Sequence, residues 1–202
     1  MNKESTHIKY IDILRAIAII LVIIGHIPYP GFNTDCHKWV YSFHIPLFFF
    51  VSGITLTFTK YKNITFKKII EKRFHRIYLP FLIWGIVLAL PTISLMTIPK
   101  LFYGTHQSIA QVSNSSLWFL PVLFVSTIFL DTLFFFFIKQ SRTKLMITFL
   151  LFLLVAILIP SQNTIQGLLG GHNIPLGLDI ILMAIVFMLS GYCFKCSSRT
   201  NN

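Results

Sequence analysis

Long apolar runs separated by short basic segments are the feature that most constrains how this chain can fold. A window of about 20 residues, the length that crosses a hydrocarbon core, places apolar spans near residues 11–29, 39–59, 77–96, 117–138, 145–160 and 176–194. Of all residues 55% are hydrophobic and only 11% are charged, so polar side chains are too few to cover a soluble globule. The sequence predicts an all-α polytopic transmembrane bundle of about six helices, a single domain over residues 1–202.

The basic residues predict how the bundle is oriented. The chain has 17 Lys and Arg residues and a formal charge of +11, but these cations lie between apolar runs and not along one face. That pattern argues against a nucleic-acid partner. With the N-terminus inside, only Lys38 and Lys100 lie outside the cytoplasmic segments. The positive-inside rule therefore predicts a cytoplasmic N-terminus in a cell membrane, with the bacterial inner membrane as the natural setting.

A few ionisable residues lie inside the predicted spans, where each costs several kcal/mol unless it faces a partner or a polar cavity. They are Asp12, Arg15, His26, His44, Asp131 and Asp179. We expect Asp131 to balance the basic inner loop and assign no partner to Asp179. No metal site is predicted, and the two cysteines near the C-terminus are interpreted as ordinary membrane-end residues.

Arg15 and His26 are placed together by helical periodicity. Eleven residues of α-helix return to nearly the same azimuth, about 16 Å further along the axis. Asp12 shares their face, which predicts an ion pair with Arg15, although both residues could instead be interfacial anchors that snorkel. His26 and His44 are expected at similar depth, which predicts a polar pocket in the outer half of the membrane.

The basic segment before the third span allows two interpretations. As an amphipathic stretch lying on anionic lipid, it would account for its lysines. Arg73 and Arg76, three residues apart on a helical approach, could instead bind one phosphate group together through planar, bidentate donors.

Several ordered motifs between residues 8 and 125 carry a resemblance. They are Tyr10-Ile-Asp12-Ile-Leu-Arg15-Ala with His26, Ser42-Phe-His44-Ile-Pro46 running on to Ser52-Gly53, Arg73-x-x-Arg76, and Trp118-Phe-Leu-Pro121. Together they resemble the acyltransferase-3 superfamily of membrane-bound O-acyltransferases, most closely its fucose 4-O-acetylase-like branch.

The resemblance implies transfer of an acyl group, usually acetyl, from cytoplasmic acyl-CoA to a hydroxyl of a cell-surface glycan or its lipid-linked precursor. Acyl-CoA is then a donor substrate, and no cofactor is permanently bound. When the site residues of the family are carried over to the matching positions of this sequence, the catalytic pair is Arg15 with His26. The acyl-CoA-binding residues are then Arg73, Arg76 and Arg15. His26 is expected to act either as general base on the acceptor hydroxyl or as a transient acyl carrier.

The acceptor side and the completeness of the chain follow from the same resemblance. His44, Asn114 and Trp118 are expected to bind the acceptor. Members of the superfamily usually have more helices, so the chain is expected to be incomplete relative to them. It could be a truncated gene product, a split protein that needs a partner subunit, or a compact member that forms a homo-oligomer. The competing hypothesis is a non-catalytic membrane protein, either a glycan-export component or a degenerate scaffold.

Overall fold

The computed structural model is all-helical in the part of the chain that it describes, which is residues 9–26, 34–59, 61, 64–92, 94–104, 108–109, 115–138, 141–158 and 180–198. No strand occurs in these ranges. The α-helices are α1 (Lys9–His26), α2 (Thr34–Leu56), α3 (Phe66–Arg73), α4 (Leu79–Ala89), α5 (Thr97–Tyr103), α6 (Phe119–Leu133), α7 (Arg142–Leu158) and α8 (Ile181–Ser198).

Two described helices are long and apolar enough to cross a membrane, by length and composition alone. They cover Lys38–Leu56 and Phe119–Phe137, and shorter apolar helices cover Thr143–Ile157 and Ile181–Ser197. The predicted all-α class is confirmed for the described residues. The six membrane crossings and the cytoplasmic N-terminus stay predictions.

The helix of the third predicted span begins earlier than expected. A π turn, Phe74–Tyr78, joins α3 directly to α4, so that one continuous rod runs from Phe66 and ends in the 3-10 turn Leu90–Thr92. Pro80 supplies a physical reason for the π turn. It has no N–H to donate to the carbonyl four residues earlier, and the widened i→i+5 spacing of a π turn accommodates the break.

The segment after this rod is helical in Thr97–Tyr103, although it lies between the third and fourth predicted spans. The Ser94 N–H donates to Thr97 Oγ1 at 2.9 Å, and such a bond satisfies a free backbone group at a helix start. Gly104 ends α5 in the left-handed conformation at φ 66°, which glycine adopts without strain. The helix packs back on α4, where Leu101 lies against Gly85.

The main core lies between α2, α6 and α8, with α7 against it. Its fully buried members include Leu56, Leu130, Ala184, Met188 and Leu189. Smaller clusters join α1 to α2 around Ile11, Val51 and Ile54, and join α4, α5 and α6 around Phe81, Leu101 and Ile109. Many large apolar side chains are left exposed on the outer surfaces, as expected of the predicted transmembrane bundle.

Two glycines allow α2 and α8 to cross closely. A Cβ added to Gly53 would overlap the carbonyl oxygen of Met188, and a Cβ added to Gly191 would overlap that of Phe50. The two backbones are therefore in direct contact, as at small-residue crossings of membrane helices. Sequence inspection placed Gly53 in a motif but gave it no structural role.

We expect Gly53→Ala or Gly191→Ala to destabilise the protein by about 1–3 kcal/mol, because an added methyl group must push two backbones apart. Heating the detergent-solubilised protein and measuring the monodisperse fraction by size exclusion tests this. Gly85→Ala is the matched control, since its new methyl would meet only a flexible Leu101 side chain at 2.8 Å. Equal melting of all three variants would contradict the backbone contact.

Candidate functional site

One end of the bundle gathers basic side chains, and we call it the basic end. The starts of α1, α3 and α7 meet the ends of α2, α6 and α8 there. Lys195 Nζ of α8 lies 5.0 Å from the centre of the Tyr10 ring of α1. Phe134, just after α6, stacks on Tyr192 of α8 with ring centres 4.4 Å apart. The described cations at this end are Arg15, Lys67, Lys68, Lys72, Arg73, Arg76, Lys144 and Lys195.

Arg15 lies on α1 near the basic end. Its guanidinium is 3.5 Å from Asp12, and both side chains are roughly half exposed, so the predicted ion pair is confirmed. His26 is the last residue of α1, about 16 Å from Arg15 along the same continuous helix. Its side chain lies outside the described part of the structure.

His44 is fully buried in α2. Its Nδ1 lies 2.8 Å from the Val40 carbonyl oxygen, and because a carbonyl can only accept, Nδ1 carries the proton and donates. In the neutral ring Nε2 then holds the lone pair, the form that a base or an acceptor-binding group needs.

The similar depth expected of the two histidines stays a prediction. His26 ends α1, and His44 is ten residues into α2, about 15 Å from its start. The shared pocket in the outer half of the membrane stays a prediction as well.

Arg73 is held by a buried carboxylate. Its Nε donates to Asp131 Oδ2 at 2.7 Å and its Nη2 to Asp131 Oδ1 at 3.2 Å. The Asp131 side chain is 1% exposed and the Arg73 side chain 14%. The expectation that Asp131 balances the basic inner loop is confirmed, and the partner is one of the two arginines of the Arg-x-x-Arg motif.

Two hydroxyl groups complete this network. Tyr61 donates its hydroxyl proton to Asp131 Oδ1 at 2.7 Å, and Thr59 Oγ1 accepts from Arg73 Nη2 at 3.0 Å. Burial, followed by the Asp131 charge and this hydrogen bond, raises the pKa of Tyr61 far above its ordinary value. Sequence reasoning missed both residues, because they lie at or just after the end of the second predicted span and share no motif with Arg73.

Arg73 and Arg76 differ in their exposure. Arg73 is held against Asp131 of α6, whereas Arg76 lies inside the π turn and is exposed. In an α-helix the two would lie about 60° apart around the axis, and each residue of a π turn advances less around the axis. That the two guanidinium groups bind one phosphate group together stays a prediction.

Lys72 and Arg76 remain as exposed cations beside this network. Partial burial, then the neighbouring Arg76 and Arg73 charges, lowers the pKa of Lys72. Glu71, the acidic neighbour, lies 3.9 Å from Lys67. The exposed surface of this part of the basic end is therefore rich in positive charge.

The acceptor residues lie toward the other end or outside the described ranges. Trp118 ends the 3-10 turn before α6, half-buried, and packs against both larger apolar clusters. Asn114 and Asp179 are outside the described residues. Among those that are described, no group of three or more His, Cys, Asp or Glu side chains could hold a metal ion.

Comparison with protein families decides the class of this chain. A family model for an acyltransferase domain matches residues 8–201. The chain belongs to the acyltransferase-3 family. The family is membrane-associated, so the protein is a membrane acyltransferase in its general class. The match runs past the motifs, which end at Pro121, and includes α7 and α8.

No curated protein and no solved structure matches the chain significantly. The acyltransferase-3 assignment therefore rests on the family model together with the ordered motifs, and the substrates of this member are not fixed by it.

The Tyr61 hydroxyl should make the stability of this acyltransferase fall at alkaline pH. A group whose pKa is raised on folding stabilises fully below its unfolded pKa, about 10 for tyrosine, and loses that contribution as the pH rises above it. We expect Tyr61→Phe to melt lower than the parent at pH 8 and to show a flatter decline between pH 9 and about 11.

Melting temperature against pH in detergent measures this effect. Tyr10→Phe, which changes an exposed tyrosine of α1, is the matched control and should follow the parent. A Tyr61→Phe curve parallel to that of the parent across the alkaline range would contradict the account.

Proposed function

We propose that this acyltransferase moves an acyl group, usually acetyl, from acyl-CoA to a hydroxyl of a cell-surface glycan or its lipid-linked precursor, as in the fucose 4-O-acetylase-like branch. The observation that carries the proposal is the basic end, where exposed cations gather at one end of a bundle whose motifs resemble those of acyltransferases. Coenzyme A is a polyanion, and its phosphate groups require such cations.

The proposal includes a direction across the membrane. Six helices cross the bilayer of a bacterial inner membrane, and the basic end faces the cytoplasm, as the positive-inside rule favours. Acyl-CoA is made in the cytoplasm, so the donor would approach the basic end from the side where it is available. A second copy of the chain or a partner subunit would help enclose the site.

The chemistry requires one bond to break and one to form. The acceptor hydroxyl oxygen attacks the thioester carbonyl carbon, the C–S bond breaks, and coenzyme A leaves as the thiol after taking a proton. His26 either removes the hydroxyl proton as general base or first accepts the acyl group on a ring nitrogen. Arg15, on the same helix, would orient the donor near that reaction.

The acceptor is proposed to bind away from the basic end. Three side chains have the chemistry that recognises a sugar. In its neutral form the His44 ring can accept a hydrogen bond at Nε2, Trp118 offers a stacking surface, and Asn114 offers a hydrogen-bonding group. His44 lies about 18 Å from the basic end of α2, since twelve residues of helix separate it from Leu56. A long pantetheine arm suits a donor site and an acceptor site that are this far apart.

We expect His26→Ala to reduce acetyl transfer from labelled acetyl-CoA by at least about 100-fold, the lower range for loss of a general base or nucleophile, while the amount of inserted protein is unchanged. Membranes supplied with a fucose-bearing glycan provide the assay. His75→Ala, which removes an exposed histidine of the π turn, is the control and should retain parental activity.

Full activity in His26→Ala membranes would remove His26 from the catalytic role. Absence of acetyl transfer by the parent, with glycan and donor both present, would instead favour the non-catalytic export component or scaffold.

A further inference from the structure

We propose that Arg73 is a positioning residue and that Lys72 and Arg76 bind the phosphate groups of the acyl donor. The inference rests on the proposed function, because it divides roles within the donor site. It departs from the expectation that Arg73 and Arg76 act together on the donor.

Arg73 is already fully engaged on the side that would bind a phosphate group in bidentate fashion. Its Nε and Nη2 donate to the two oxygens of Asp131, and Nη2 also donates to Thr59. Turning the guanidinium outward would leave the Asp131 carboxylate buried without its cation, which strongly disfavours that movement. Arg73 is therefore a poor direct ligand for the donor.

Lys72 and Arg76 have the opposite character. Both are exposed, and neither has an ion-pair partner within 4.0 Å among the described residues. Their like charges repel, since the Arg76 charge contributes to lowering the pKa of Lys72. A phosphate group between them would relieve this repulsion, and arginine and lysine are the usual side chains that bind one.

The Arg73 network holds these two cations in place. Helix α3 is the eight-residue start of the rod that continues through the π turn into α4, and contacts with the bundle also hold it. Ile69 is buried, the Phe66 ring lies 5.5 Å from that of Phe135, and the Arg73 bonds add a directional constraint. Loosening the network should let Lys72 and Arg76 move without removing any group that touches the donor.

The same phosphate chemistry occurs in lipid headgroups, so the experiment must separate the two sources. The purified full chain is placed in nanodiscs of zwitterionic phosphatidylcholine, and acetyl-CoA affinity is measured by titration. A parallel series in nanodiscs containing anionic phosphatidylglycerol shows whether lipid phosphate competes for the site.

Lys72→Gln and Arg76→Gln should each weaken acetyl-CoA binding by about tenfold or more, because each removes a charge-assisted hydrogen bond. Neither change should lower the melting temperature, since both side chains are exposed. Lys38→Gln, which changes an exposed lysine of α2 outside the basic end, is the matched control and should stay within about twofold of the parent. If either variant equals this control, the proposal is overturned.

The triple variant Tyr61→Phe, Arg73→Met, Asp131→Leu tests the role of Arg73 directly. It removes the buried charges together, and replacing a buried ion pair by apolar groups is often tolerated. If amide hydrogen exchange over α3 in the triple variant matches that of the parent, apolar packing has kept the helix in place, and acetyl-CoA affinity within about threefold of the parent then supports positioning. A triple variant with parental exchange over α3 that nevertheless loses as much affinity as Arg76→Gln would show that Arg73 itself binds the donor.

Thr59→Val provides a second test that does not depend on the triple variant folding. It changes no charge and removes only the acceptor for Arg73 Nη2. We expect a KM for acetyl-CoA raised about threefold, an unchanged kcat, and faster amide hydrogen exchange over α3. An unchanged KM together with unchanged exchange would overturn the positioning role.

Failure of the proposed function would be recognisable separately. A parent that binds no acetyl-CoA in either lipid would refute the donor assignment, and with it the phosphate role of Lys72 and Arg76. The exchange of α3 in Thr59→Val would still report whether the network fixes that helix.

Discussion

The buried carboxylate of Asp131 is the constraint around which the basic end is arranged. It lies in an apolar bundle, where a charge without a partner would cost several kcal/mol, and Arg73 and Tyr61 both bind it. These bonds join the segment after α2, the basic helix α3 and the end of α6 that lies at the basic end. Removing one partner of such a pair typically costs about 3–5 kcal/mol, so this network fixes where the exposed cations of α3 stand.

Much of the fold follows from the sequence because apolar length is a strong signal in a membrane protein. Each predicted span contains a described helix, although the bounds shift. The π turn before Pro80 and the folded-back helix α5 were not predicted, because both depend on local backbone bonds. Ser94, Thr97 and Gly104 carry the signals for α5, but a hydropathy window does not detect capping residues.

The arrangement of the candidate site was only partly predictable. The Asp12–Arg15 pair follows from helical spacing and is confirmed. The pairing of Arg73 with Asp131 joins residues 58 positions apart, which periodicity within one helix cannot reveal. The π turn that contains Arg76 was not predicted either, and it alters the spacing on which the shared-phosphate expectation depended.

The central claim, that this acyltransferase uses acyl-CoA to modify a glycan hydroxyl, is tested most directly by following both products at once. The purified full chain in nanodiscs is given acetyl-CoA labelled in the acetyl group and a fucose-bearing glycan. The account predicts label in the glycan and an equal amount of free coenzyme A thiol. Bound acetyl-CoA that yields neither labelled glycan nor glycan-dependent thiol would contradict it.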